Sequence, residues 1–236
     1  MEKSAELLAR SERESAWRQM ARQVAHEIKN PLTPIKLSMQ LLMRAWNDKA
    51  PDWDVRLKRF SQTLIMQIDT LSSIATEFSD FAQMPEPQIQ QFDVVPLVQQ
   101  SAELFRDQSD SNISFETDVN ECFIQADPNQ VLRVFNNLIK NAIHAIPDAR
   151  QGIVEIKLAI VDGACQISFH DNGTGIPSDR QTRIFSPNFT TKTAGMGLGL
   201  AMVKNIIDNT GGRIWFETIP GEGTVFFVVL PLGENE

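Results

Sequence analysis

Over the first third of the chain, apolar residues recur at helical spacing. From about Ala21 to Trp46 they fall at Ala21, Val24, Ile28, Leu32, Ile35, Met39 and Leu42. A second segment repeats the pattern with Leu57, Phe60, Leu64, Ile68, Leu71, Ile74, Phe78 and Phe81. Steps of three and four place each set on one side of a helix. The intervening NDKAPDWD (47–54) is a short connection, so the two helices are predicted to lie antiparallel. Two helices alone bury little surface. A second copy would complete a four-helix bundle, and a homodimer is the expectation.

The period changes after PEPQ (85–88), where two prolines end the second helix and open a linker over 85–91. VVPLVQQSAELF (94–105) reads as a helix, and ISFETDV (113–119) and CFIQA (122–126) read as strands. The segment 127–146 opens with Asp127 as N-cap, Pro128 in the first position and Gln130 at the capping-box position. IVEIKLAIVDGACQISFHD (153–171) alternates about an Asp-Gly turn, a hairpin signal. GRIWFETIPGEGTVFFVVL (212–230) repeats strand, turn, strand. Antiparallel strands with helices gathered elsewhere predict an α+β class, a helical hairpin followed by an α/β sandwich. The boundaries read as 1–84, 85–91 and 92–236.

The totals exclude some functions. A chain of 236 residues holds one large domain or two ordinary ones. A net charge of −8 argues against nucleic-acid binding, though a few fixed dipoles can still hold a nucleotide. Cys122 and Cys165 lack metal-ligand spacing and form no disulfide framework, which points to a reducing cytoplasm. No run of about eighteen apolar residues is present, so no membrane contact is expected within this stretch. The opening MEKSAELLARSERESAW carries both signs of charge and no signal-peptide core. It reads as a helix continuing from something upstream, as in a fragment of a longer protein with an inner-membrane anchor, though a short soluble protein would look the same.

Polar chemistry concentrates in three places of the second region. Asn137, Asn141 and His144 form a stripe at i, i+4 and i+7. Taken alone it is equally a solvated face or a source of amide oxygens for magnesium, which takes few protein ligands when phosphates supply the rest. In DNGTGIP (171–177), Asp171 ends a strand, and Gly173 and Gly175 let the backbone turn against a flat ligand. A carboxylate there can accept from an exocyclic amine such as adenine's, although a tight loop explains the glycines as well. GMGLGLAMVKNII (195–207) sets three glycines before an apolar helix, leaving N–H groups free for phosphate. IFSPNFTTKTA (184–194) between these loops could be a mobile lid from which Lys192 could reach a terminal phosphate, although an exposed loop lysine is the commoner case.

Their order is more telling than any one of them. An Asn stripe, D-x-G-x-G, a lid and G-x-G-x-G within about 65 residues resemble the ATP-binding domain shared by sensor histidine kinases, gyrase-type ATPases and related chaperones. The resemblance implies ATP with magnesium. Asn141, beside Asn137, would serve as the metal-side residue, and Asp171 would contact adenine. Gly173, Gly175, Ile176, Gly195, Gly197, Leu198, Gly199 and Thr224 would line the nucleotide. Many members carry a basic residue three positions after the magnesium asparagine; His144 stands there.

With an ATP site downstream, HEIKNPL (26–32) resembles the phosphoacceptor motif of two-component sensor kinases. The longer HEIKNPLTPIKLS looks most like their nitrogen-regulation branch. At about 100° per residue, His26 lies about 200° round the helix from Ile28, away from the apolar stripe. A lone helix histidine is usually just solvated; in this setting it is expected to be the phosphoacceptor. Glu27 is the candidate base, although neighbours at i and i+1 do not face one another. Asn30, at i+4, stacks beside His26, where it can orient a water or a phosphoryl oxygen, and the resemblance implies a role for it in dephosphorylating the partner. Pro31 and Pro34 free the carbonyls of Glu27 and Asn30 and are expected to bend the helix one turn past the histidine. The resemblance implies autophosphorylation of His26 and transfer to an aspartate on the receiver domain of a response regulator. Net phosphatase action and a clamp-type ATPase or chaperone are the alternatives.

Overall fold

The computed structural model describes the backbone of residues 2–82, 87–186 and 197–233, and the side chains of 24–72, 74–76, 78–79, 87–186 and 197–233. Two compact units emerge, one comprising Met1–Gln83 with Asn188–Leu198, the other Met84–Pro187 with Gly199–Glu236.

The first unit is built on helices α1 (Glu2–Asn47) and α2 (Trp53–Ala82), which pack against each other. The turn between them is a Schellman closure: Ala50 N–H donates to Ala45 C=O and Lys49 N–H to Trp46 C=O, with Lys49 at φ 50°. Trp46 and Trp53 meet across the turn at 4.9 Å, and Arg56 pairs with Asp52 at 2.8 Å to open α2. Among the described side chains of α1 the positions shielded from water are Val24, Glu27, Pro31, Pro34, Ile35, Ser38, Leu42 and Ala45. Ile28, Leu32 and Met39, from the apolar stripe, are instead 39–46% exposed, as are Leu57 and Ile68 of α2 at 41% and 52%. The stripe therefore divides into a seam within the chain and an adjoining apolar face left open. Leu198 is buried in this unit with Ile74, against Val24 and Phe78. Ala21 and Phe81 of the stripes lie outside the described side chains.

The second unit contains β1 (Gln90–Asp93), α3 (Val95–Arg106), β2 (Asn112–Thr117), β3 (Phe123–Ala126) and α4 (Pro128–Ala145). They are followed by β4 (Ile153–Val161), β5 (Ala164–Asp171), α5 (Ser178–Gln181), α6 (Gly199–Asn209), β6 (Arg213–Ile219) and β7 (Gly223–Pro231). Five strands form one sheet in the order β2-β4-β5-β7-β6, with β2 parallel to β4 and the other pairs antiparallel. β1 and β3 make a separate antiparallel ribbon. The Asp-Gly turn joins β4 to β5 with Asp162 at φ 49° and Gly163 at φ 73°, the conformation a two-residue hairpin of this twist demands. β1 and α5 are additions to the elements legible in the pattern.

One face of the sheet carries the core. Ile156, Ile167, Phe169 and Val228 are sealed there, as are Val134, Phe135, Leu138 and Ile139 of α4. Phe135 and Phe169 meet with ring centroids 5.8 Å apart. Burying each such side chain stabilises the fold by about 2–3 kcal/mol. α4 is held at its start by Asp127, whose Oδ1 accepts from the N–H groups of Asn129 (2.8 Å) and Gln130 (3.3 Å). Its Oδ2 accepts from Gln88 N–H at 2.9 Å, so the same carboxylate ties down the approach to β1.

Candidate functional site

On α1, His26 and Asn30 are exposed, Glu27 is half-buried and Pro31 is buried. The helix runs unbroken from Glu2 to Asn47 through Pro31 and Pro34. Positions i and i+4 share a side of a helix, so His26 and Asn30 form an outward pair while Glu27 and Pro31 sit on the shielded side. An imidazole in water beside a carboxamide is accessible to a large phosphorylated ligand, which a buried one would not be.

The second cluster surrounds the C-terminal ends of α4 and β5. Asn137 and Asn141 are half-buried and His144 is exposed, all on one stripe of α4. Gly199 starts α6 directly against that stripe: a Cβ there would stand 2.7 Å from Asn137 Oδ1. Asn137 Nδ2 donates to Arg133 C=O at 2.9 Å, fixing the amide with its oxygen toward Gly199.

Asp171 is 2% exposed at the end of β5. Burial pushes its carboxyl up from the ordinary value, opposed by hydrogen bonds from the N–H groups of Gly173 and Thr224 and by the nearby His170. The Gly173 bond to Oδ1 measures 2.8 Å. Gly173 must lack a side chain, since a Cβ would meet Ala145 C=O and Asp171 Oδ1, each at 2.6 Å. Gly175 holds φ +67° against Ile219 C=O. Thr224 is buried opposite Asp171 in the β5–β7 register. Its hydroxyl lies 3.0 Å from that of Thr218, which accepts from Ile176 N–H at 2.9 Å. Asp171, Gly173, Gly175, Ile176 and Thr224 are thus one assembly. A buried acceptor with a side-chain-free backbone beside it suits a flat heterocycle that carries an amine.

Three further residues hold this assembly in place. Thr218 bridges Ile176 and Thr224. Asn172 Oδ1 accepts from Ile153 N–H at 2.9 Å, and its Nδ2 donates to Gln151 C=O at 2.9 Å, locking the loop to β4. Arg150 donates to the carbonyls of Asn172, Gly173 and Gly221. None had a sequence signal, because each acts on backbone groups whose positions only the fold creates.

Of the remaining residues, Gly197 takes φ +63°, and Leu198 is buried in the cluster with Ile74. Lys192, Gly195 and most of the expected lid fall within 187–196, outside the described residues. Among the described residues no group of three or more His, Cys, Asp or Glu could hold a metal. A cation at Asn141 therefore fits only with phosphate oxygens supplying most of its ligands. A separate cavity of about 600 Å³ opens between α3 and β2, lined by Gln99, Glu103, Arg106, Phe115 and Asp118 among others, none of them in the glycine loops.

Residues 16–87 match the His Kinase A (phospho-acceptor) domain, and residues 126–234 match the histidine kinase-, DNA gyrase B-, and HSP90-like ATPase. The nitrogen regulation protein NtrY of Azorhizobium caulinodans is 35% identical over 231 residues, 95% of this chain and 30% of that protein. The sensor histidine kinase ZraS of Klebsiella oxytoca is 32% identical over 235 residues, 98% of this chain and 49% of that protein. The chain thus spans less than half the length of either relative. Among solved structures, the nucleotide-free catalytic domain of histidine kinase ThkA is 33% identical with a TM-score of 0.56, covering 61% of this chain and 95% of that one. Histidine kinase ThkA in complex with the response regulator protein TrrA aligns over 94% of this chain and 64% of that one, at 28% identity and a TM-score of 0.73.

Proposed function

The chain belongs to the sensor histidine kinase family, and on that premise we propose that it phosphorylates its own His26 from ATP and passes the group to an aspartate on a response-regulator receiver domain. The observation that carries the proposal is the exposed imidazole of His26 on the outward side of α1, paired with Asn30. ATP binding follows from membership, since the matched ATPase domain takes in the whole Asp171 assembly and the Asn stripe.

The geometry supports the following roles. Asp171 accepts from the amine of adenine, while Gly173, Gly175, Ile176 and Thr224 shape the space for the ring. Asn137 and Asn141 face the phosphates, and the Gly199 end of α6 offers them the N-terminus of a helix. Magnesium, held by Asn141 and phosphate oxygens, would neutralise charge on the leaving phosphates. One ring nitrogen of His26 attacks the terminal phosphorus, the bond to the bridging oxygen breaks, and ADP leaves. Glu27 takes or holds the proton on the other ring nitrogen. Asn30 orients a water or a phosphoryl oxygen when the partner is dephosphorylated, which makes phosphatase action a second activity of the same surface.

The open apolar face of Ile28, Leu32, Met39, Leu57 and Ile68 supports a homodimer with a four-helix bundle. We assign 1–84 to dimerisation and phosphotransfer and 92–236 to the catalytic domain; of the expected linker 85–91, Gln90 and Gln91 lie instead in β1, paired with β3. No helix among the described residues is long and apolar enough to cross a membrane. We assign this portion to the cytoplasm, where the free Cys122 and Cys165 stay reduced.

The test is incubation with γ-labelled ATP and magnesium, comparing the native chain with His26→Gln. Acid-labile, alkali-stable label confined to the native chain is the expected result. Equal labelling of the variant would remove His26 from the mechanism.

A further inference from the structure

We infer that Arg150 is a positioning residue for base recognition, acting on Asp171 through a single peptide plane. The inference rests on the assignment of the Asp171 assembly to adenine.

The peptide that joins Asn172 to Gly173 is held at both ends. Its N–H, on Gly173, donates to Asp171 Oδ1 at 2.8 Å. Its C=O, on Asn172, accepts from Arg150 Nη1. The same nitrogen donates to the next carbonyl, Gly173, at 3.0 Å, and that second peptide gives its Thr174 N–H to Ala145 C=O at 2.9 Å. Arg150 Nη2 reaches Gly221 C=O at 3.2 Å in the β6–β7 turn, whose own N–H donates to Thr174 C=O at 2.8 Å. Three carbonyls from two separate loops therefore converge on one guanidinium.

A peptide plane is rigid, so fixing its carbonyl fixes the direction of its N–H. The N–H at issue is one of the two, with that of Thr224, that orient the Asp171 carboxylate. A charged donor on the carbonyl also polarises the amide and strengthens the N–H as a donor at the other end. Gly173 and Gly175 give this loop wide backbone freedom, and Arg150 restricts that freedom from outside the nucleotide space. Lysine is a poor substitute, because a point charge cannot span two loops as a planar fork does. Arg150 itself is exposed, so its removal leaves no hole in the core.

The consequence is specific to the base. Phosphate-side contacts at Asn137, Asn141 and Gly199 do not involve this peptide. Loss of Arg150 is expected to weaken adenine nucleotides and leave a nucleotide held mainly by its phosphates unaffected.

The experiment titrates ADP and GDP, each with magnesium, into the full chain and its Arg150→Ala and Arg150→Lys variants, with melting temperatures taken without nucleotide. In Arg150→Ala the dissociation constant for ADP should rise about tenfold while that for GDP holds, so discrimination falls by the same factor. Arg150→Lys should fall between the two. In autophosphorylation the KM for ATP should rise with kcat little changed. An unchanged ADP-to-GDP ratio in Arg150→Ala overturns the inference. So does a parallel loss of both nucleotides with a lowered melting temperature, which marks a merely structural role. A native chain that binds no ADP overturns the adenine assignment itself and this inference with it.

Discussion

Replacing Asp171 by asparagine separates recognition from stability at one buried atom pair. The carboxylate is 2% exposed and one of its oxygens already accepts from Gly173 N–H at 2.8 Å. An amide of the same shape keeps that bond through its oxygen, but presents an NH₂ group where the adenine amine also donates. One charge-assisted hydrogen bond is lost and two donors face each other, a cost of about 2–3 kcal/mol. At about 1.4 kcal/mol per factor of ten, ADP should bind about 30- to 150-fold more weakly. The effect on the empty protein has the opposite sign. Burial raises the folded-state pKa of Asp171 above its ordinary value, so the folded form is relatively favoured while the group is protonated. That advantage is full below the ordinary value of 3.8 and is lost as pH rises through the elevated folded value. A neutral amide carries no such dependence, so Asp171→Asn should melt higher than the native chain at pH 7 and lose its lead toward pH 4. Calorimetric titration with ADP and melting curves between pH 4 and 8 test both halves. An ADP affinity within threefold of native, or a variant that melts lower at pH 7, would refute the reasoning.

Other consequences are narrower. Ile68→Glu places a charge on the open apolar face of α2, 52% exposed in the single chain, and should shift light scattering from dimer to monomer at micromolar concentration; an intact dimer would count against that face as the interface. Asn141→Ala should raise the magnesium concentration needed for half-maximal ATP binding about tenfold while ADP binding in chelator stays native-like; equal magnesium requirements would remove Asn141 from the metal. Pro31→Ala returns an N–H to the carbonyl of Glu27, so the helical region should unfold at higher denaturant. The ratio of autophosphorylation to partner dephosphorylation should change with it, and an unaltered ratio would show that the proline does not tune presentation of His26.

Much of the second unit is legible in the sequence because its signals are local. Asp127 followed by Pro128 marks the start of α4 through a cap that needs only four consecutive residues. Asp162-Gly163 sets the β4–β5 hairpin through two positive φ angles. β1 escapes notice because four residues, QQFD, hold too few apolar positions to show a period, and its partner β3 lies about thirty residues away. Asp171 is legible as a carboxylate before two glycines, but its burial is not, since that depends on Thr224 arriving from β7. Arg150 is silent for the same reason: its acceptors are carbonyls at Asn172, Gly173 and Gly221 that the fold brings together.

The helical hairpin shows where periodicity itself reaches its limit. A stripe with steps of three and four is compatible with two neighbouring seams, and Ile28 and Pro31 differ by about 300° of rotation, or about 60° the short way. Nothing in α1 alone decides which seam meets α2. The decision belongs to the turn, where the left-handed Lys49, the Ala50-to-Ala45 closure and the Trp46–Trp53 contact fix the azimuth at which α2 returns. Once that azimuth is set, Pro31, Leu42 and Ala45 are covered and Ile28, Leu32 and Met39 are left open. His26 stays in water under either choice of partner seam only because no apolar neighbour at i+3 or i+4 draws its side inward: those places hold Lys29 and Asn30. The accessibility of His26 is thus secured by two polar residues on its own side of the helix, and an apolar residue at Asn30 would compromise it before touching any chemistry.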